Sequence, residues 1–162
     1  MLLARKGACA GVRERFALHN VGGEQLTLIA PQPRGNYLEL FHQIDICLDP
    51  FPFNGDNSTC DALWMGVSVA SLAGNAFVSR RGVSHLSNVG LAEMVGNSPA
   101  DYAKIAIELA ADLPRLAAIR AGLRERLRQS PLGDARRAVA RLEAVYRQIS
   151  NEGLPAGHEV SM

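Results

Sequence analysis

Apolar positions follow two habits along this chain. In the first hundred residues they gather in short runs. Residues 26–29 (Leu-Thr-Leu-Ile), 44–48 and 67–72 each read as a short buried strand, and 91–95 as a fourth strand or turn. Between the runs, apolar residues recur at helical spacing. Val12 and Phe16 mark a helix over 11–20. Leu38, Leu40 and Phe41 mark a short one over 37–43, and further helices are predicted over 58–65 and 80–89. Gly22-Gly23, Gly66 and Gly90 stop these helices. Alternating short strands and helices predict an α/β domain with a parallel sheet.

From residue 98 onward the pattern is helical only. Tyr102, Ile105, Ala106 and Leu109 form one stripe; Leu116, Ile119, Leu123 and Leu127 form a second. Val139, Leu142, Val145, Tyr146 and Ile149 form a third. Such stripes predict core-packing faces. Ser98 before Pro99 and Asp112 before Leu113-Pro114 read as N-caps, and 130–133 separates the last two helices. The main unit is expected over 1–150, with 151–162 as a polar, flexible tail.

Composition narrows the class. A chain of 162 residues is about one domain. Its net charge of +1 gives no electrostatic case for nucleic acid. No apolar run approaches the ~20 residues of a membrane span. Cys9, Cys47 and Cys60 have no CxxC spacing, and His19, His42, His85 and His158 form no metal-binding pair. These point to a cytoplasmic chain without a metal centre.

The stretch from Asp49 to Asp61 carries the chemistry. A strand ends at Asp49, a loop holding Pro50, Pro52 and Gly55 follows, and a helix begins among Asn57, Ser58 and Thr59. Free N–H groups at a helix start bind anions such as phosphate. Ser58 is either an N-cap, with Asp61 completing a capping box, or a phosphate donor. Asp61 either stabilises the helix dipole or accepts the hydroxyls of a ribose. The 31–36 loop follows the 26–29 strand, so it shares the sheet rim, where Gln32 backbone groups and the Arg34 side chain could reach a base or ribose. Arg80 and Arg81 lie beyond a third rim loop, within reach of phosphate charge. Pro50 directly after Asp49 argues against Asp49 as a phospho-acceptor. The chain has neither GxxxxGK[ST] nor GxGxxG.

Over 12–149 the chain resembles the carboxyl-terminal part of the O-linked N-acetylglucosamine transferase and SPINDLY family. The resemblance rests on Asp45-Ile46-Cys47-Leu48-Asp49, Asn54-Gly55, Asp61-Ala62-Leu63-Trp64-Met65-Gly66 and Val89-Gly90-Leu91. Asp101-Tyr102, Leu113, Ser130-Pro131-Leu132 and Leu142-Glu143-Ala144-Val145-Tyr146 extend it. The resemblance implies a Rossmann-like second lobe of a GT-B glycosyltransferase. Such enzymes transfer a sugar from a nucleotide diphosphate, UDP-N-acetylglucosamine or GDP-fucose, to Ser or Thr of a protein acceptor.

Carried over by position, the family's ribose-binding acid falls on Asp61. Its diphosphate-binding Thr-Thr pair falls on Asn57 and Ser58, with Asp56 before it adding a negative charge. The loop contacting base and ribose falls on Gln32 to Arg34, Arg34 replacing a family Lys. Tyr37 stands where the family often has a His close to the nucleotide. No residue is assigned the chemical step, and no metal is expected. The implied function is the nucleotide-sugar-binding half of a protein O-glycosyltransferase. The alternative is a non-catalytic remnant or interaction module that keeps the fold.

The resemblance also implies a strand order of 3-2-1-4-5-6. Residues 26–29 would be strand 3, and 44–48, 67–72 and 91–95 strands 4 to 6. Residues 1–3 would be at most the end of strand 2. Strand 1 and the acceptor-binding first lobe have no counterpart. The sheet is therefore expected to be incomplete on its amino-terminal side, and the chain alone not to transfer sugar. A chain supplying the missing lobe would be a partner.

Overall fold

A computed structural model describes residues 2–3 and 6–152. The tail expected over 151–162 lies outside the described residues beyond 152, as does His158. In chain order the elements are β1 Leu2–Leu3, α1 Cys9–Ala17, β2 Leu28–Ile29, α2 Arg34–Glu39, β3 Ile46–Leu48, α3 Asn57–Trp64 and β4 Ser68–Leu72. Then come α4 Arg81–Asn88, β5 Val95–Gly96, α5 Pro99–Ala111, α6 Leu113–Gln129 and α7 Ala135–Glu152.

All strand pairs are parallel, but they form two sheets. One is β1–β2, with Leu2 opposite Leu28 and Leu3 opposite Ile29. The other has the order β3–β4–β5, with Cys47 opposite Val69 and Leu72 opposite Gly96. These are the neighbours the implied order requires, and the break falls where strand 1 would stand. A groove of about 520 Å³ occupies the region beside the open edge of β3. Its lining includes Phe16, Leu26, Phe41 and Ile46, and it continues to Tyr37, Pro50 and Ser58.

The core lies in the second sheet and its helices. Every residue of β4 is buried, as expected of a central strand covered on both faces. Its Val69 shares one core cluster with Leu63, Val67, Leu86, Leu91, Met94, Leu109 and Leu123. The stripes on α5 and α6 turn Leu109, Leu116, Ile119, Leu123 and Leu127 inward. The third stripe does not: Val139, Leu142, Val145, Tyr146 and Ile149 are all exposed, so α7 has no core-packing face among the described residues. By contrast, α1 buries nothing.

Local chemistry sets the ends. Ser98 Oγ accepts the Asp101 N–H at 3.1 Å, and Asp112 Oδ1 accepts the Arg115 N–H at 3.0 Å, so both expected N-caps form. Gly66, at φ 80°, ends α3 in the left-handed region where a side chain would be strained. Arg124 Nε donates to the Trp64 carbonyl at 2.8 Å, placing a cation at the negative end of α3. The helix expected over 37–43 starts earlier, as α2, and tightens into a 3-10 turn over Leu40–Gln43. Pro33 allows this. Its carbonyl accepts the Tyr37 N–H at 2.9 Å, and a helix's first turn needs no donors from Gly35 or Asn36.

Candidate functional site

Three rim loops converge on the start of α3, each leaving the carboxyl end of a strand. The middle loop is the best anchored. Asp49, buried at the end of β3, accepts from Gly55 N–H at 2.8 Å and Thr59 Oγ1 at 3.2 Å through Oδ1. Its Oδ2 accepts from Ser71 Oγ at 2.6 Å, and its carbonyl accepts from Tyr102 Oη at 3.1 Å. One carboxylate thus joins the loop, the first turn of α3 and the end of β4. Fully buried Asn54 adds a second brace: its Nδ2 donates to the Pro50 carbonyl at 3.0 Å, and its N–H to the Val78 carbonyl at 2.9 Å. Burial beside Asp49 pushes the Tyr102 phenol up to about 12 and the Cys47 thiol to about 11.

Above this brace, α3 begins without a side-chain cap. The expected capping box of Ser58 with Asp61 is absent. The helix starts one residue earlier, at Asn57, so Asp56 and not Ser58 holds the cap position. Asn57 and Ser58 are exposed, and Thr59 is buried against Asp49. Asp61 is engaged by the first rim loop instead. Arg34 Nη2 lies 2.7 Å from Asp61 Oδ1 and Nη1 lies 3.0 Å from Oδ2, a two-pronged ion pair that holds the guanidinium above its ordinary pKa.

Tyr37 sits one turn along α2 from Arg34, half-buried, with its ring edge-on to Phe41 at 5.2 Å. Burial, and then the Asp61 charge, raise its phenol. Gln32 is exposed, and its side chain donates to the Ala30 carbonyl at 3.1 Å.

Asp56 does not stand as a bare charge. His85 Nε2 lies 3.1 Å from Asp56 Oδ1, and Arg81 Nη1 lies 3.7 Å from Oδ2. The Arg81 guanidinium lies between Phe53 and Phe77, 5.2 and 5.3 Å from the ring centres. On the other side of the His85 ring, Nδ1 is 3.8 Å from Cys60 Sγ. Burial, then Asp56 and Asp61, raise the Cys60 thiol, since both acids flank it. Arg80 turns away, donating to the Gly74 carbonyl at 3.0 Å. Among the described residues, no group of three or more His, Cys, Asp or Glu side chains is placed to hold a metal ion.

The structure therefore brings Gln32, Arg34, Tyr37, Asp56, Asn57, Ser58 and Asp61 to one rim, with the Gln32 side chain folded on its own loop and its backbone on the rim. Sequence reasoning missed His85. No motif marks it, but its position on the helix after β4 places it on the same rim.

The profile of glycosyl transferase family 41 matches residues 19–142. The chain belongs to this family. It is 36% identical over 146 residues to a probable UDP-N-acetylglucosamine–peptide N-acetylglucosaminyltransferase, SPINDLY, of Petunia hybrida, covering 87% of this chain and 16% of that protein. It is 29% identical over 117 residues to the corresponding transferase of Caenorhabditis elegans, covering 70% of this chain and 10% of that one. A solved mutant O-GlcNAc transferase of Thermobaculum terrenum superposes with a TM-score of 0.83 at 33% identity, over 91% of this chain and 28% of that one. The family 41 chain thus spans a small part of the relatives it matches. The likeness supports the Rossmann-like, GT-B type of parallel sheet with carboxyl-terminal helices. No helix among its described residues is long and apolar enough to cross a membrane.

Proposed function

We propose that this chain is the nucleotide-sugar-gripping part of a protein O-glycosyltransferase that uses a UDP-sugar donor and Ser or Thr acceptors. The carrying observation is the Arg34–Asp61 pair, which joins the start of α2 to α3 across 27 residues, beside the open start of α3. In this reading the diphosphate lies against the N–H groups of α3 and the side chains of Asn57 and Ser58. Asp61 turns from Arg34 to the ribose hydroxyls. Gln32, Arg34 and Tyr37 face base and ribose. The leaving diphosphate is then stabilised by preorganised N–H groups and cations, a form of electrostatic catalysis that needs no metal. The setting is cytoplasmic, in keeping with Cys47 and Cys60 forming no disulfide.

The open edge of β3 and the uncovered face of α7 favour a second statement: this chain works with another lobe and does not transfer sugar alone. Titration with UDP by calorimetry tests the grip, and UDP-N-acetylglucosamine with a Ser/Thr peptide tests transfer. Saturable UDP binding without transfer is the expected result. Absence of UDP binding leaves the non-catalytic module as the reading.

A further inference from the structure

Asp56 poses a physical problem. Aspartate at a helix cap position normally turns its carboxylate onto the N–H groups of the first turn. Here it occupies that position at α3 with φ −123° and ψ −87°, outside the extended backbone of an ordinary cap, and makes no such bond. Its two oxygens point instead to His85 Nε2 at 3.1 Å and Arg81 Nη1 at 3.7 Å. Both partners come from α4, beyond β4, and both are fixed. His85 is buried, with its second nitrogen against Cys60. Arg81 is held between the rings of Phe53 and Phe77. The neutral ring that donates from Nε2 to Asp56 has Nδ1 free to accept the Cys60 thiol hydrogen, so one tautomer satisfies both contacts.

We infer that His85 and Arg81 are positioning residues that hold the Asp56 carboxylate off the amino end of α3 and so keep it open for a diphosphate. The inference rests on the diphosphate reading above. Without the two holders, Asp56 would be released to rotate from ψ −87° into the extended backbone of an ordinary cap, turn onto the N–H groups of Ser58 and Thr59 and compete with the ligand from within the chain. The cost to the ligand would match the usual contribution of an aspartate cap, about fivefold in affinity. With the holders present, the Asp56 charge is answered by Arg81, so it does not repel a bound anion strongly.

The test uses the full chain, with Asp56→Ala, Arg81→Met/His85→Leu, and all three changes together. Arg81→Met alone serves if loss of buried His85 unfolds the protein, as read by circular dichroism. Two measurements are made: amide exchange at Ser58 and Thr59, and calorimetric titration with UDP and with pyrophosphate. In the double variant, exchange at these amides slows, and both ligands bind about fivefold more weakly. The triple variant returns both readings to wild type. Unaltered amide exchange in the double variant overturns the inference. So does a triple variant as weak as the double, which would make Arg81 and His85 direct ligand contacts. Tighter binding by Asp56→Ala alone also overturns it, since the carboxylate would then repel the ligand from where it stands. Wild-type protein that binds neither ligand sinks the diphosphate reading instead. The exchange arm needs no ligand and tests the capping argument by itself.

Discussion

Arg34 and Asp61 meet through two parallel hydrogen bonds of 2.7 and 3.0 Å, although 27 residues separate them. The Asp61 side chain is 13% exposed and that of Arg34 68% exposed, so the acid is the more enclosed member of the pair. A ribose approaching the rim must therefore draw this carboxylate away from Arg34. Asp61→Asn should weaken UDP binding about tenfold or more, since a hydrogen bond to a charged group contributes roughly 1.5–3 kcal/mol. The thermal midpoint should barely move, because exposed ion pairs contribute little to stability. Equal UDP affinity in wild type and variant would remove Asp61 from the ribose site.

The Asp49 brace gives a sharper stability prediction. Three donors converge on a carboxylate that is 2% exposed, and replacing it with Leu strands all of them. Buried donors left unpaired cost about 1–3 kcal/mol each, so Asp49→Leu should unfold the domain or lower its urea midpoint severely. Asp49→Asn keeps one acceptor and should fall between. A Leu variant as stable as wild type would show that the loop is held by other contacts.

Gly82 is the third case. A methyl group there would lie 2.0 Å from Ser71 Oγ and 2.5 Å from Asp49 Oδ2. Both atoms are buried and bonded to each other, so neither can give way easily. Gly82→Ala should destabilise by about 1–3 kcal/mol through overpacking, measurable by urea titration. An unchanged midpoint would mean that the start of α4 shifts freely.

Alkaline pH should also destabilise the chain. Folding raises the thiol of Cys47 to about 11 and the phenol of Tyr102 to about 12, mainly through burial and then the Asp49 charge. In the unfolded chain these groups lose their protons at lower pH. Their contribution to stability is complete below the unfolded pKa values, near 9 and 10, and is lost as pH rises toward the folded ones. The urea midpoint should fall between pH 8 and pH 11. Cys47→Ala with Tyr102→Phe should flatten that slope; an equally steep slope in the double variant would assign it to other groups.

Two sheets without a shared ladder should not be equally protected. Within residues 7–40 only Leu26 is buried, whereas β4 is buried throughout. Amide exchange over 7–29 should be faster than over 67–72 by orders of magnitude, because local opening there exposes little apolar surface. Matching protection in the two regions would show that the gap beside β3 is closed in solution.

Much of the fold was legible because its signals are local. Ser98 and Asp112 cap their helices as their spacing with Pro99 and Pro114 implied, and Gly66 and Gly90 take positive φ where the apolar pattern stopped. The apolar and small-residue run over 67–72 read as a buried strand, and β4 is buried throughout. The site was half legible. Asn57, Ser58 and Asp61 stood together in sequence, but their partners did not. Arg34 lies 27 residues before Asp61, and His85 lies 29 after Asp56. Pairings across such distances are set by topology, which a local pattern does not encode. The capping box misled for the same reason. Asp61 satisfies the local rule, yet a guanidinium from another loop takes both its oxygens. The stripe on α7 misled differently, because periodicity reports that a helix has an apolar face and not that this chain covers it.

That uncovered helix has a thermal consequence. All 17 residues of α7 from Ala135 to Asn151 are exposed, so burial of an apolar face adds little to its stability. Its helicity rests on Ala and Arg propensity and on pairs such as Glu143 with Arg147 at 3.0 Å. Helices of this length are marginal in water when nothing packs against them. The far-ultraviolet signal should therefore drift with temperature well before the body unfolds, as a helix–coil equilibrium in one segment superimposed on a cooperative transition in the rest.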